Sequence, residues 1–165
     1  MIAVLARLRV PLGFAAAVVA FVLARPSWAS WRAGLAVALA GELIRLWASG
    51  HIDKGREITR SGPYKFFRHP LYLGSALLGI GFIVAANSAA VAMLTALYLA
   101  LTLTAAARSE EAHLDEKFAG AYSHYRDGTL ALADRPYSWR RAVRNREYQA
   151  ILGLAAAFAV LWWKL

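Results

Sequence analysis

Two short stretches of the chain carry a concentration of polar and aromatic groups that could bind a small molecule. The first is Ser61–Gly74, SGPYKFFRHPLYLG, and the second begins at Arg108 and reads RSEEAHLDEKFAGAYSHY. Pro70 suits the opening position of a helix, where its missing N–H has no intrahelical partner to lose. The N–H groups just after it lie at the positive end of the helix dipole and favour a carboxylate or phosphate. Gly74, one turn further on, removes a side chain and would let a flat group approach the backbone. His69 and Tyr72 add aromatic faces for a base or a cation. Glu110 and Glu111 add carboxylates for an ammonium or for ribose hydroxyls. Together these groups suit a cationic, zwitterionic nucleotide such as S-adenosylmethionine. NADPH fits less well, because its phosphates would prefer Lys and Arg to a glutamate pair.

The elements that must bring these stretches together are apolar helices. Of the 165 residues 59% are hydrophobic, and the mean hydropathy is +0.43. The uncharged runs are too long for a small soluble core, so the reading is one all-α integral membrane domain over 1–165 with about five spans. The net charge of +9 does not point to nucleic acid, because the basic residues sit in short segments beside apolar helices, which is the pattern of membrane orientation and anionic headgroups. With no cysteine, disulfides, thiolate metal sites and a cysteine nucleophile are excluded.

The first apolar run, about Val10 to Ala24, is closed by Arg25-Pro26, with Trp28 and Trp31 as expected interfacial anchors. It is read as a retained span rather than a cleaved signal. The second, about Trp31 to Ser49, contains Glu42 and Arg45, three apart and so on one helical face. They read as a structural pair near the membrane edge or as part of a polar cavity. Gly50–Arg68 is a loop, with Arg56–Thr59 too short to assign. From Leu71 to Ala107 there are 37 residues without a charge. A single helix of that length would reach roughly 55 Å, nearly twice the hydrocarbon core. Two antiparallel helices are therefore expected, turning at Asn87-Ser88, with Gly74, Ala76, Gly79 and Gly81 permitting close packing. Leu114, Phe118, Tyr122 and Tyr125 recur at helical spacing and predict an amphipathic helix leaving the membrane. A basic interfacial segment follows over 126–146, and a last span over 147–164.

The N-terminus, the 50–70 loop and the 108–146 segment hold two, five and eight of the 19 Lys and Arg. The positive-inside rule places all three in the cytoplasm. The hairpin then returns both polar stretches to one membrane face, where they can meet.

These motifs resemble the isoprenylcysteine carboxyl methyltransferases and their phospholipid methyltransferase relatives. The likeness rests on Ser61-Gly62-Pro63-Tyr64, Arg68-His69-Pro70, Tyr72 and Gly74, and on Glu110-Glu111, Leu114, Phe118, Tyr122 and Tyr125 at the family's spacing, and covers about Gly41 to Tyr125. It implies a membrane methyltransferase using S-adenosylmethionine, with no metal. By match, Tyr64, His69, Pro70, Tyr72, Leu73 and Gly74 would line the cofactor site and Glu110 and Glu111 would close it. Arg68 and Arg108, able to hold a substrate carboxylate, are with Glu111 the candidate catalytic groups. The expected substrate is a membrane lipid or other amphiphile, and the composition suggests a bacterial inner membrane. Where the family usually ends in a Val-Pro segment, this chain continues with RDGTLALADRPYSW and a further apolar run.

Two other functions compete. A membrane reductase of the steroid-reductase kind shares an Arg-His-Pro-x-Tyr pattern and uses NADPH. A non-catalytic scaffold or lipid-binding protein would bind no nucleotide. His51, His113 and His124 read as surface or interfacial residues, Phe66 and Phe67 as interfacial anchors, and Tyr122 and Tyr125 as packing. Oligomeric state is not legible.

Overall fold

A computed structural model describes residues 2–53, 59, 61–117 and 135–165, with side chains described from Gly13 onward except at 111 and 113–117. The described residues form six α-helices and no strand. They are α1 (Ile2–Leu23), α2 (Trp28–His51), α3 (Pro70–Ala86), α4 (Ala89–Lys117), α5 (Trp139–Arg144) and α6 (Glu147–Trp163), with a 3-10 turn at Gly62–Lys65. Two segments, Trp28–His51 and Ala89–Glu110, are long and apolar enough to cross a membrane. Gly13–Leu23, α3 and α6 are apolar but shorter, so by length the expected count of five is met by two helices. Residues 56–58 of the unassigned stretch Arg56–Thr59, and the side chains of Leu114, Phe118, Tyr122 and Tyr125, lie outside the described residues.

Local sequence explains the breaks. Ser27 caps α2 and exchanges hydrogen bonds with Ser30 in a capping box, satisfying two donors that a helix start leaves open. The turn after α3 falls at the expected place. Asn87 closes that helix in the left-handed region at φ 48°, which Asn tolerates better than most residues because its short side chain bonds locally. Its amide donates to Arg25 O. Arg146, at φ 60°, separates α5 from α6. Among the described residues of the basic interfacial segment, Trp139–Arg144 form a helix of six residues.

The closest packing is between α2 and α3, and it uses missing side chains. A Cβ on Gly34 would lie 2.4 Å from Gly81 O, and one on Gly41 would lie 2.7 Å from Gly74 O. No side chain fits at either place, so the two backbones touch, as small residues allow between membrane helices. The sequence reading assigned Gly74 and Gly81 to the α3–α4 hairpin. They face α2 instead, because seven residues apart they lie on one stripe of α3, whereas Gly79 is on another stripe and meets Leu99 of α4.

At the end of the bundle away from the 61–69 loop, the core is made of Ala20, Ala24, Ala38, Ala85, Ala86, Val91, Phe158 and Leu161. Trp31 is partly buried against this core. Its ring meets Phe158 edge-on at 5.9 Å and its Nε1 donates to Phe158 O. Lys164 donates to the carbonyls of Phe21, Val22 and Ala24, placing a cation at the negative end of α1.

Replacing Gly34 by Val should force α2 and α3 apart and lower stability by about 1–3 kcal/mol, as over-packing does. Gly153 on α6 has nothing within 4 Å of a Cβ, and Gly153→Ala should instead raise stability by about 0.5–1 kcal/mol. Thermal midpoints of the purified variants in detergent check both signs.

Candidate active site

The first turn of α3 is fixed by the two residues before it. Pro70 occupies N1 and is buried. His69 is the N-cap, and its carbonyl accepts from both Tyr72 N and Leu73 N. The expected group of free N–H donors is thereby reduced to Leu71 N–H. The His69 ring lies tilted over Tyr72, with centroids 5.4 Å apart. Tyr64, in the preceding 3-10 turn, is buried against α2. Arg68, Phe66 and Phe67 are exposed.

Across the hairpin, the Tyr72 hydroxyl donates to Glu110 Oε2 at 2.7 Å. The bond spans 38 positions of sequence and joins the two polar stretches directly. Helix α4 runs unbroken through Arg108, which carries Glu110 back to the level of α3's first turn. Arg108 is exposed, Glu110 is half-buried, and the Glu111 side chain lies outside the described residues. The site therefore has a carboxylate, a phenol and an imidazole in one place, with two exposed arginines at its margin.

Gly74 does something other than admit a ligand to its open side. The space of its missing Cβ is taken by Arg45 Cγ at 2.5 Å and Gly41 O at 2.7 Å. Next to it, Arg45 donates to Ser75 Oγ and, at 2.8 Å, to Glu147 Oε1 on α6. Glu42, the partner expected from sequence, is farther away at 3.8 Å. Both of its carboxylate oxygens are buried without a hydrogen-bond partner among the described residues. Glu147 is 4% exposed. Sequence reasoning missed it, although an arginine inside a span must find an acid and Glu147 is the acid opening the last helix.

A second structure closes the end of α2. Arg141 Nε and Ser138 N both donate to Gly50 O, and the Asn145 amide donates to Ser49 O and Ile52 O. These groups satisfy carbonyls that a helix C-terminus leaves open. Arg144 and Arg135 pair with Asp53 at 3.1 and 4.0 Å. The Tyr137 ring fills the space over Gly50, and burial pushes its phenol above the ordinary tyrosine range. His51, expected at the surface, is buried at 6% exposure.

A cavity of about 490 Å³ opens among α1, α4 and α6, lined by groups such as Gly13, Ala17, Tyr98 and Gly153. It includes none of the motif residues. Tyr98 is twelve residues from Glu110, about 18 Å along a helix, so this apolar space lies away from the polar site. Among the described residues no three His, Asp or Glu side chains come together as a metal site would require.

Comparison with known proteins adds two findings. A family model described as phospholipid methyltransferase matches residues 12–121. The cobalt-zinc-cadmium resistance protein CzcN of Cupriavidus metallidurans is 36% identical over 87 residues, which is 52% of this chain and 39% of that protein. The chain thus matches well under half the length of this curated relative. No solved structure matches.

The ion-pair geometry predicts unequal effects for the two glutamates. Glu147→Ala leaves a partly buried guanidinium beside a carboxylate it does not reach, and should lower stability by about 3 kcal/mol or more. Glu42→Gln removes a charge that has no hydrogen-bond donor and should not lower the thermal midpoint. A larger loss at Glu42 than at Glu147 would show the pairing to be the reverse.

Proposed function

The chain belongs to the phospholipid methyltransferase family, and from that premise we propose that it transfers a methyl group from S-adenosylmethionine to a lipid-like or carboxyl-bearing amphiphile. The single observation that carries this reading is the Tyr72–Glu110 hydrogen bond. It unites the two motifs on which the family likeness rests, and among the described residues no hydrogen bond engages the second oxygen of this half-buried carboxylate, which could accept from a cationic or hydroxylated ligand. The donor set fits the methyl donor: Glu110 for an ammonium or ribose hydroxyl, the His69 and Tyr72 rings for a base or a sulfonium, and Leu71 N–H for a carboxylate.

When bound, S-adenosylmethionine supplies a methyl group already activated by its positive sulfur. The work left to the protein is positioning. In this reading, the His69 and Tyr72 rings would offer faces for the nucleotide to pack against, and Tyr72 fixes the Glu110 carboxylate. Pro63, Tyr64 and Pro70, all buried, hold the wall rigid. Arg68 and Arg108 are exposed and would orient an acidic substrate group, and Glu111, next to Glu110 in sequence, would be the candidate base where the acceptor carries a proton.

The membrane arrangement is part of the proposal. Five apolar helices would span, the shorter ones with help from interfacial Trp, Tyr and Arg side chains. The basic 50–70 and 108–146 segments would face the cytoplasm of a bacterial inner membrane, and the amphiphile would arrive laterally. Trp139 and Val143 on α5 are exposed, as are Arg140 and Arg144, which suits contact with anionic headgroups.

The test is transfer of labelled methyl from S-adenosylmethionine into the organic extract of membranes containing the protein. Tyr72→Phe should raise the donor's KM about tenfold, since a hydrogen bond to a charged group is worth about 1.5 kcal/mol. Glu110→Gln should raise it at least as much. Label that never exceeds that of membranes without the protein would sink the reading.

A further inference from the structure

The 135–147 segment lies outside the family-matched residues 12–121, yet one buried side chain links it to the Ser61–Tyr64 turn. His51 is the last residue of α2. Its Nδ1 is 3.2 Å from Ser61 Oγ, and Ser61 is 1% exposed. On the other side its ring meets Tyr137 edge-on at 5.9 Å. Tyr137 is itself fixed, because its ring fills the place a side chain would take on Gly50 and it meets Trp139 at 5.1 Å. The loop is shaped around the imidazole. Gly62 has φ +58°, and a Cβ there would lie 2.5 Å from His51 Cδ2. Both the backbone conformation and the space therefore require glycine.

We propose that His51 is a positioning residue: seated by Tyr137, it holds the Ser61–Tyr64 turn at the candidate site, so that the C-terminal segment is a working part of that site. The inference rests on the methyltransferase reading for its functional consequence. A buried imidazole needs a hydrogen-bond partner, and Ser61 in the loop supplies one. The loop in turn depends on it. Ser61 O accepts from Tyr64 N, so the residue His51 holds is the one that starts the 3-10 turn. Tyr64 and the path to His69 follow from that turn. The C-terminal segment acts at a distance by keeping the imidazole from swinging outward.

The experiment uses the full chain in lipid nanodiscs, with three measurements on each variant: calorimetric affinity for S-adenosylmethionine, amide hydrogen exchange and thermal midpoint. His51→Leu should weaken donor binding about tenfold, the scale of one lost polar contact, and speed exchange at 62–67 while leaving 71–86 as in wild type. His51→Asn, whose amide can replace Nδ1, should restore both to within threefold. Tyr137→Ala should shift both readouts in the same direction as His51→Leu. Gly62→Ala disturbs the contact from the loop side and should reproduce His51→Leu, which keeps the test decisive if the leucine variant does not fold. Wild-type affinity and exchange in His51→Leu would overturn the proposal. So would equal losses in the Leu and Asn variants with faster exchange throughout 62–86, which mark a general structural role. If wild type binds no methyl donor, the methyltransferase reading fails, and the exchange pattern alone decides whether His51 positions the loop.

Discussion

Contact between the backbones of α2 and α3 is the constraint from which the candidate site follows. Lipid tails offer no hydrophobic driving force between helices, so association relies on close packing and on polar contacts. Gly34 against Gly81 and Gly41 against Gly74 fix both the separation and the register of the pair. A shift of one residue would bring a side chain where there is no room. Fixing the register sets the height of α3's first turn relative to α2, and with it the position of His69, Pro70 and Tyr72. It also sets Arg45 beside Ser75, where it finds Glu147 on α6. Three helices are thereby joined just beneath the polar site.

The site needs a second constraint, supplied by the short turn at Asn87. It makes α3 and α4 antiparallel, and α4 is long enough at 29 residues to return past the start of α3. Tyr72 lies 15 residues before Asn87 and Glu110 lies 23 after it, and the Tyr72 hydroxyl closes the remaining gap to the carboxylate. The third side comes from the C-terminal segment, whose Arg141 and Asn145 bind the last carbonyls of α2. Helix packing, hairpin and clamp each involve different residues, yet all three bear on the few residues between Ser61 and Tyr72.

Much of this was legible from residue types and local spacing. Pro70 as a helix opener, Asn87 as the turn and the return of Glu110 to the level of Tyr72 all follow from local chemistry and from the length of an uncharged run. Partners distant in sequence were not legible. Nothing near Gly74 says whether it will face α4 or α2, since either helix could use the gap; only the seven-residue step to Gly81 separates the two possibilities. Glu42 is the near acid for Arg45, but it sits on the same helix at 3.8 Å, and Glu147, 102 positions away, comes to 2.8 Å. His51 looked like a surface residue because it ends an apolar run and is followed in sequence by Asp53 and Lys54. What buries it, Tyr137, comes from beyond the motif-bearing region.

The most direct measurement is calorimetric titration of the detergent-purified protein with S-adenosylmethionine and, separately, with NADPH. The account predicts saturable binding of the methyl donor at one site per chain, weakened by Glu110→Gln, and no heat of binding from NADPH. Binding of NADPH in place of the methyl donor would contradict it and point to a reductase, and binding of neither would leave the Tyr72–Glu110 contact as a structural link between two membrane helices.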